Sequence, residues 1–390
     1  MITNIQAYRK AIQPSPELVA DRPALLGRGF VQELNTEKQR LFCNVNRFHL
    51  FEEEQFDEEN QTHDAYLYHL GLTELDTQLH LHFVVNDLLK VENNVAGKGP
   101  FLFCAFHFGG YLHVPTALKL MEFDIVTVTR ELAGNDVVVI DSNDPDYENK
   151  REIFASQNIS GLAPDAVFRI YSAFKKGKSI LFYFDFFQNE MDDKRNTTAT
   201  LGHLKLMAPT YVFEIAQRLN IPVIPIFSPR LSDLSVAIQM KAPIHVPQTG
   251  KAGIEVCVQA LFDQFYQQLQ SYYFQWQELP FIHQRLTGLV KKPSAKTALW
   301  QKWRSTWHTL KKNLTSATLV FNHEHFNFYA DQGEFYLVDI LSYQSAKISE
   351  PIFTLLKKIK DRPLSRQAGQ QLLGDHLLQD LLYQSIIKPL

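Results

Sequence analysis

Between residues 96 and 250 the chain alternates short, almost unbroken apolar runs with segments of helical periodicity. The runs are "GPFLFCAFHF", "FDIVTVTREL", "GKSILFYFDFF", "IPVIPIFSPR" and "LSVAIQMKAPIHV", and helices are expected near 110–121, 163–176 and 209–219. Strands that are apolar at every position, rather than at every second one, are buried on both faces. Parallel strands need crossover helices, which supply that cover. The pattern predicts an α/β fold with a mainly parallel sheet covered by helices. Gly177 in "FKKGKSI" and Asn220-Ile221-Pro222 mark returns from helix to strand. Residues 254–278 read as one long amphipathic helix.

The flanking regions differ in texture. Residues 1–90 are polar and rich in aromatics, with an acidic run at 51–64, and are expected to form a helical region packed on the main domain, 91–287. Between Glu278 and Glu324 there is no acidic residue, while eight Lys and Arg residues interleave with Trp300, Trp303 and Trp307. Residues 288–318 therefore read as a basic linker helix, either docked by its tryptophans or facing an anionic partner. Residues 319–390 form a small α+β C-terminal domain. Two alternating segments flank the turn Asp331-Gln332-Gly333, and two helical segments follow, the first opening on Ser349, Glu350 and Pro351.

Composition excludes some classes of function. Thirty-nine basic against 42 acidic residues leave a net charge of −3, so no global attraction to nucleic acid or anionic membrane is expected. No window approaches about 18 uninterrupted apolar residues, so neither a transmembrane segment nor a signal peptide is expected, and a cytoplasmic location follows. Cys43, Cys104 and Cys257 are widely spaced, with no Cys-x-x-Cys or His-rich spacing nearby, and read as reduced, buried thiols with no metal site.

A side chain just beyond the carboxyl end of a parallel strand projects into the crevice where open α/β sheets bind ligands. His107 falls at such a point. Gly109 and Gly110 follow, where small residues allow close approach and N–H groups can meet an oxyanion or phosphate. Arg130, Asp185 and Arg230 end later strands, and the charged loop 192–195 reads as a solvated turn or the rim of a site.

The segment "AFHFGGYLHVPTAL" resembles the histidine motif of the late acyltransferases of lipid A synthesis, within the lysophospholipid acyltransferase-like superfamily, where the motif is His-(x)4-Glu or Asp. "TVTREL", "KKGKSILFYFDFF", "TLGHLKLMAPTYVFEIAQRLNIPVIPIF" and "YYFQWQELPFIHQR" resemble later segments of that family in the same order, over about residues 80–287. The resemblance implies His107 as the general base that deprotonates an acceptor. It also implies a thioester of CoA or acyl carrier protein as co-substrate, with no bound cofactor, and substrate contacts from Gly109, Gly110, Arg130, Gly202 and Arg230.

The motif's acid position is Leu112, so the dyad of the motif is broken. Three readings stay open. His107 is oriented by another residue, Asp185 or His113, and acts on a soluble amine or hydroxyl acceptor in natural-product or peptide biosynthesis. Alternatively the site binds a carrier-bound intermediate or peptide without turnover, or His107 is a satisfied core histidine. The C-terminal unit resembles winged-helix domains that bind leader peptides, which implies a peptide partner added as a strand, and a structural appendage that shields the larger domain stays open beside it. The basic segment 285–312 leaves open an aminoacyl-tRNA donor.

Overall fold

The computed structural model describes residues 36–51, 61–78, 89–92, 99–129, 157–160, 165–185, 196–233, 235–248, 250–289 and 318–389. The chain divides into two compact units, one formed by Met1–Asn35 and Glu59–Gly288 and the other by Thr36–Glu58 and Leu289–Leu390. This division differs from the one expected for residues 1–90, because helix α1 (Glu37–Phe51) belongs with the C-terminal residues.

Among the described residues, the first unit contains α2 (Gln61–Gln78) and a seven-stranded sheet. In chain order the strands are β1 (Leu89–Glu92), β2 (Leu102–Ala105), β3 (Ile125–Thr129), β4 (Gln157–Ser160), β5 (Ser179–Tyr183), β8 (Val223–Phe227) and β9 (Val236–Met240). Their spatial order is β1-β9-β8-β2-β5-β3-β4. All neighbours run parallel except β8 and β9, so the sheet is mixed and mostly parallel. The two central strands β2 and β8 are buried at every residue, as their unbroken apolar sequences require.

Side chains of alternate parity leave the sheet on opposite faces. On one face Phe103, Leu181, Ile224 and Ile238 pack with Val114, Ala117 and Leu118 of α3 (Val114–Leu120). On the other, Phe106, Phe184 and Phe227 meet the rings of Phe213, Phe262 and Phe265. These come from α5 (Tyr211–Leu219) and α6 (Lys251–Tyr272). A smaller sheet holds β6 (Asn196–Leu201), β7 (Leu204–Pro209) and β10 (Leu286–Leu289) in the order β10-β7-β6, with β6 and β7 antiparallel.

Helices α3, α4 (Ala166–Lys175) and α5 end alike. In each, a left-handed residue, Glu122, Gly177 or Asn220, directs its N–H to the carbonyl three residues back, and the next N–H reaches five back. This Schellman geometry satisfies terminal carbonyls and turns the chain toward the next strand. The expected helix over 254–278 ends instead at Tyr272. A 3-10 turn, Tyr273–Gln275, follows, and then Trp276 in extended conformation.

The second unit is α+β. Strands β12 (Phe326–Asp331), β13 (Glu334–Asp339) and β14 (Ser345–Ile348) form an antiparallel sheet, with the Gln332-Gly333 turn at positive φ as its sequence demands. Strand β11 (Thr318–Phe321) pairs with β15 (Leu364–Ser365) and β16 (Ile387–Pro389). One core joins Leu319, Phe321 and Leu337 to α7 (Glu350–Asp361) and α8 (Arg366–Tyr383), which breaks at Gly374, φ 73°. A second core sets Leu41, Phe42 and Val45 of α1 against Tyr329, Val338 and Ile340, and His49 bonds the Ile340 carbonyl at 2.7 Å. Among the described residues no helix is long and apolar enough to cross a membrane. Cys43, Cys104 and Cys257 are free and buried.

Candidate functional site

Strands β2 and β5 lie side by side and parallel, with Ala105 opposite Tyr183. Carried two residues further, that register places His107 opposite Asp185 beyond the carboxyl ends of both strands. The side chains meet there, with Nδ1 of His107 2.8 Å from Oδ1 of Asp185. The backbone N–H of His107 also donates to the carboxylate, at 3.0 and 2.9 Å from its two oxygens. Asp185 is 1% exposed and His107 18%, so the acid is sealed while the imidazole borders solvent.

The rest of the carboxylate's shell comes from the segment after α6. The Trp276 indole N–H donates to Oδ2 of Asp185 at 2.8 Å, and Arg285 donates to the Asp185 carbonyl at 3.0 Å. Arg285 also pairs with Glu278 at 2.8 Å. Burial alone raises the pKa of Asp185. The charge and hydrogen bonds of His107, with the Trp276 indole, outweigh burial and hold the carboxyl below its ordinary range. An ionised Asp185 accepts only, so Nδ1 carries the proton and Nε2 is the basic nitrogen of His107.

The imidazole is bracketed by two tyrosine rings, Tyr111 at 4.8 Å and Tyr183 at 4.9 Å between centroids, and the Tyr183 hydroxyl donates to the Tyr111 carbonyl. Burial pushes the Tyr183 phenol up, and burial and Asp185 push the Cys104 thiol up, so neither supplies an anion near neutrality. A small, mostly apolar cleft of about 10 Å³ lies between Phe106, Met207, Phe262 and Ile282 beside Asp185, at the lower limit of the space one water needs.

Several expected site residues take other roles. The N–H of Gly109 donates to the Gln275 carbonyl and that of Gly110 to the Ser228 carbonyl. Neither is therefore available to an oxyanion. A Cβ on Gly109, at φ +60°, would lie 2.1 Å from the Ser228 oxygen, and one on Gly110 2.5 Å from Val236, so both glycines serve close packing against β8 and β9. Gly202, φ +58°, forms the turn between β6 and β7.

Arg230 is 2% exposed, with its backbone N–H and carbonyl both held by the Gln275 amide. Burial, with the Arg230 charge added, holds the His69 imidazole down to about 3. Arg230 is an interior cation, not an open substrate contact. His113 is fully buried before α3, while the Asp185 carboxylate occupies Nδ1 of His107. Arg130, the charged loop 192–195 and the basic segment 290–317 lie outside the described residues.

Arg285 is expected only as part of a basic segment, and nothing in the sequence ties Trp276 or Glu278 to the dyad, since Trp276 is 91 residues from the carboxylate it bonds. The signal available was a tryptophan set among polar residues, whose indole N–H needs an acceptor when buried. Among the described residues no group of three or more His, Cys, Asp or Glu is placed to hold a metal ion. The fold and site define an α/β protein with a hydrogen-bonded His–Asp pair at the carboxyl ends of adjacent parallel strands. No protein-family model and no curated protein matches the chain.

Proposed function

We propose that the chain is an acyltransferase that moves an acyl group from a CoA or carrier-protein thioester to an amine or hydroxyl acceptor. The observation that carries this reading is the 2.8 Å contact between His107 Nδ1 and Asp185, which supplies from a neighbouring strand the acid that Leu112 does not provide. A buried ionised carboxylate on Nδ1 fixes the tautomer, makes Nε2 the base and stabilises the imidazolium that forms. Nε2 takes the proton of the acceptor as its oxygen or nitrogen attacks the thioester carbonyl. The tetrahedral adduct then expels the thiolate, which recovers the proton from His107, so that a thiol and an ester or amide leave.

The N–H groups of His107, Phe108, Gly109 and Gly110 are committed to Asp185, Phe106, Gln275 and Ser228. The developing oxyanion is therefore met by donors outside this turn; the sequence alone, through the strand that Arg130 ends, offers that residue as the cation. The test incubates the protein with CoA and carrier-protein thioesters of graded chain length and a panel of amines and hydroxyl compounds, reading products by mass spectrometry. An acylated product lost in His107→Ala supports the reading. Saturable thioester binding without product in any combination identifies a binding protein instead.

A further inference from the structure

The Asp185 carboxylate receives three donors, two from His107 and one from Trp276. The two from His107 bring Oδ1 to Nδ1, and the third pins Oδ2 from the opposite side. Without it the carboxylate can twist about its Cβ–Cγ bond and turn its plane away from Nδ1. Trp276 is itself immobilised. It is 3% exposed, its ring stands edge-on to Phe265 at 5.1 Å, and its backbone bridges Phe108 while the next N–H, from Gln277, donates to the His107 carbonyl at 3.0 Å. One short segment thus grips both partners of the dyad, the histidine through its main chain and the acid through the indole. That grip is also why the helix stops at Tyr272 while the sequence periodicity runs on: Gln275 must bond both backbone groups of Arg230, and Trp276 must lie extended beside Phe108.

We propose that Trp276 is a positioning residue for the His107–Asp185 pair, its indole N–H fixing the plane of the carboxylate so that one oxygen stays directed at Nδ1. This rests on the transferase reading above for its kinetic consequence, although the positioning itself can be observed without turnover. A hydrogen bond to an ionised group is among the stronger ones, and it spreads negative charge that otherwise draws a proton onto the dyad. Its loss makes the dyad more basic, so the protonated, inactive form persists to higher pH. Among the described residues, the titratable groups around the pair are Cys104, Tyr111, Tyr183, Tyr211, Glu278 and Arg285. Burial, chiefly, raises Cys104, Tyr183 and Tyr211, and it raises Glu278 as well. A Glu278→Gln background separates the titration of that acid from the dyad's.

The experiment uses the full chain with Trp276→Phe and, at the same position, the benzothiophene isostere of tryptophan, which keeps the ring volume and lacks the N–H. Two readouts are taken in each, the downfield proton resonance of His107 Nδ1–H and the pH profile of kcat/KM. The expected result is a displaced or exchange-broadened resonance in both variants, an acid limb moved up by about one pH unit, and turnover lowered roughly tenfold. The limb shift persists in Glu278→Gln. A resonance and limb that match wild type in the isostere overturn the proposal, even if turnover falls, because a packing role scales the rate without moving the limb. If wild type has no turnover, the transferase reading fails, while the resonance still decides the role of Trp276.

Discussion

Replacing Asp185 by asparagine separates the two contributions of the carboxylate, packing and tautomer. Oδ1 accepts from Nδ1 of His107 at 2.8 Å and Oδ2 from Trp276 at 2.8 Å, with the His107 N–H within 3.0 Å of both. An asparagine has one oxygen to offer. With that oxygen toward His107, its amide NH2 faces the Trp276 N–H, and a buried donor is left unsatisfied at a cost of about 1–3 kcal/mol. With the oxygen toward Trp276, the NH2 faces Nδ1. That arrangement is satisfied if the imidazole switches tautomer, so that Nδ1 accepts and Nε2 carries the proton. The second arrangement avoids the orphaned donor and is the one expected, so Asp185→Asn should lose about 1–2 kcal/mol relative to wild type, the difference between charged and neutral hydrogen bonds, and keep its fold. The base is lost all the same, because Nε2 is now protonated, and acyl transfer should fall by about 10²–10⁴. Asp185→Ala instead orphans Nδ1–H, the His107 backbone N–H and the indole N–H, and opens a void. It should be less stable than Asp185→Asn by about 2–4 kcal/mol. Denaturant titration supplies the stabilities, nitrogen chemical shifts of His107 the tautomer, and thiol release the rate. An asparagine variant with wild-type turnover, or one in which Nδ1 still carries the proton, refutes the reasoning.

Gly109→Ala forces a Cβ to 2.1 Å from the Ser228 carbonyl at a backbone φ of +60°, and overpacking plus left-handed strain should cost about 3 kcal/mol or more, read by chemical unfolding. Because the folded-state pKa of Asp185 is depressed, its contribution to stability is complete above the ordinary aspartate value of about 3.9 and is lost as pH falls through the lower folded value. Wild type should therefore lose stability more steeply than Asp185→Asn below about pH 4. Phe42→Ala removes a side chain packed against Tyr329 at 6.0 Å and should destabilise the second unit by about 3–5 kcal/mol, read as a lowered transition for that unit in calorimetry. An unchanged transition would separate α1 from the C-terminal core.

The sheet was legible because buried parallel strands announce themselves. "LFCA", "SILFY" and "VIPIF" are apolar at every position, and Gly177 and Asn220 stand where left-handed caps turn helices back to strands. The candidacy of His107 and Asp185 was legible as well, since both follow such runs. Their pairing was not, because the register that aligns Ala105 with Tyr183 is set by hydrogen bonds between strands 78 residues apart. The glycines misled for a related reason. Positive φ and close approach are visible as a preference for glycine, but whether the neighbour is a ligand or the Ser228 carbonyl is a tertiary fact. The long amphipathic period of α6 gave no hint that Gln275 and Trp276 leave the helix to bond Arg230 and Asp185, since tertiary hydrogen bonds override local propensity there. Helix α1 lies over 250 residues from β12 in sequence, and nothing local in "EKQRLFCNVNRFHLF" indicates which core it completes.

The central claim is that His107, held by Asp185, is the base for acyl transfer. The measurement that bears on it most directly is acceptor-dependent thiol release from one acyl thioester at neutral pH, comparing wild type with His107→Ala at matched stability. The account predicts release that depends on acceptor in wild type and falls by about 10²–10⁴ in the variant. Equal rates in the two proteins would contradict it.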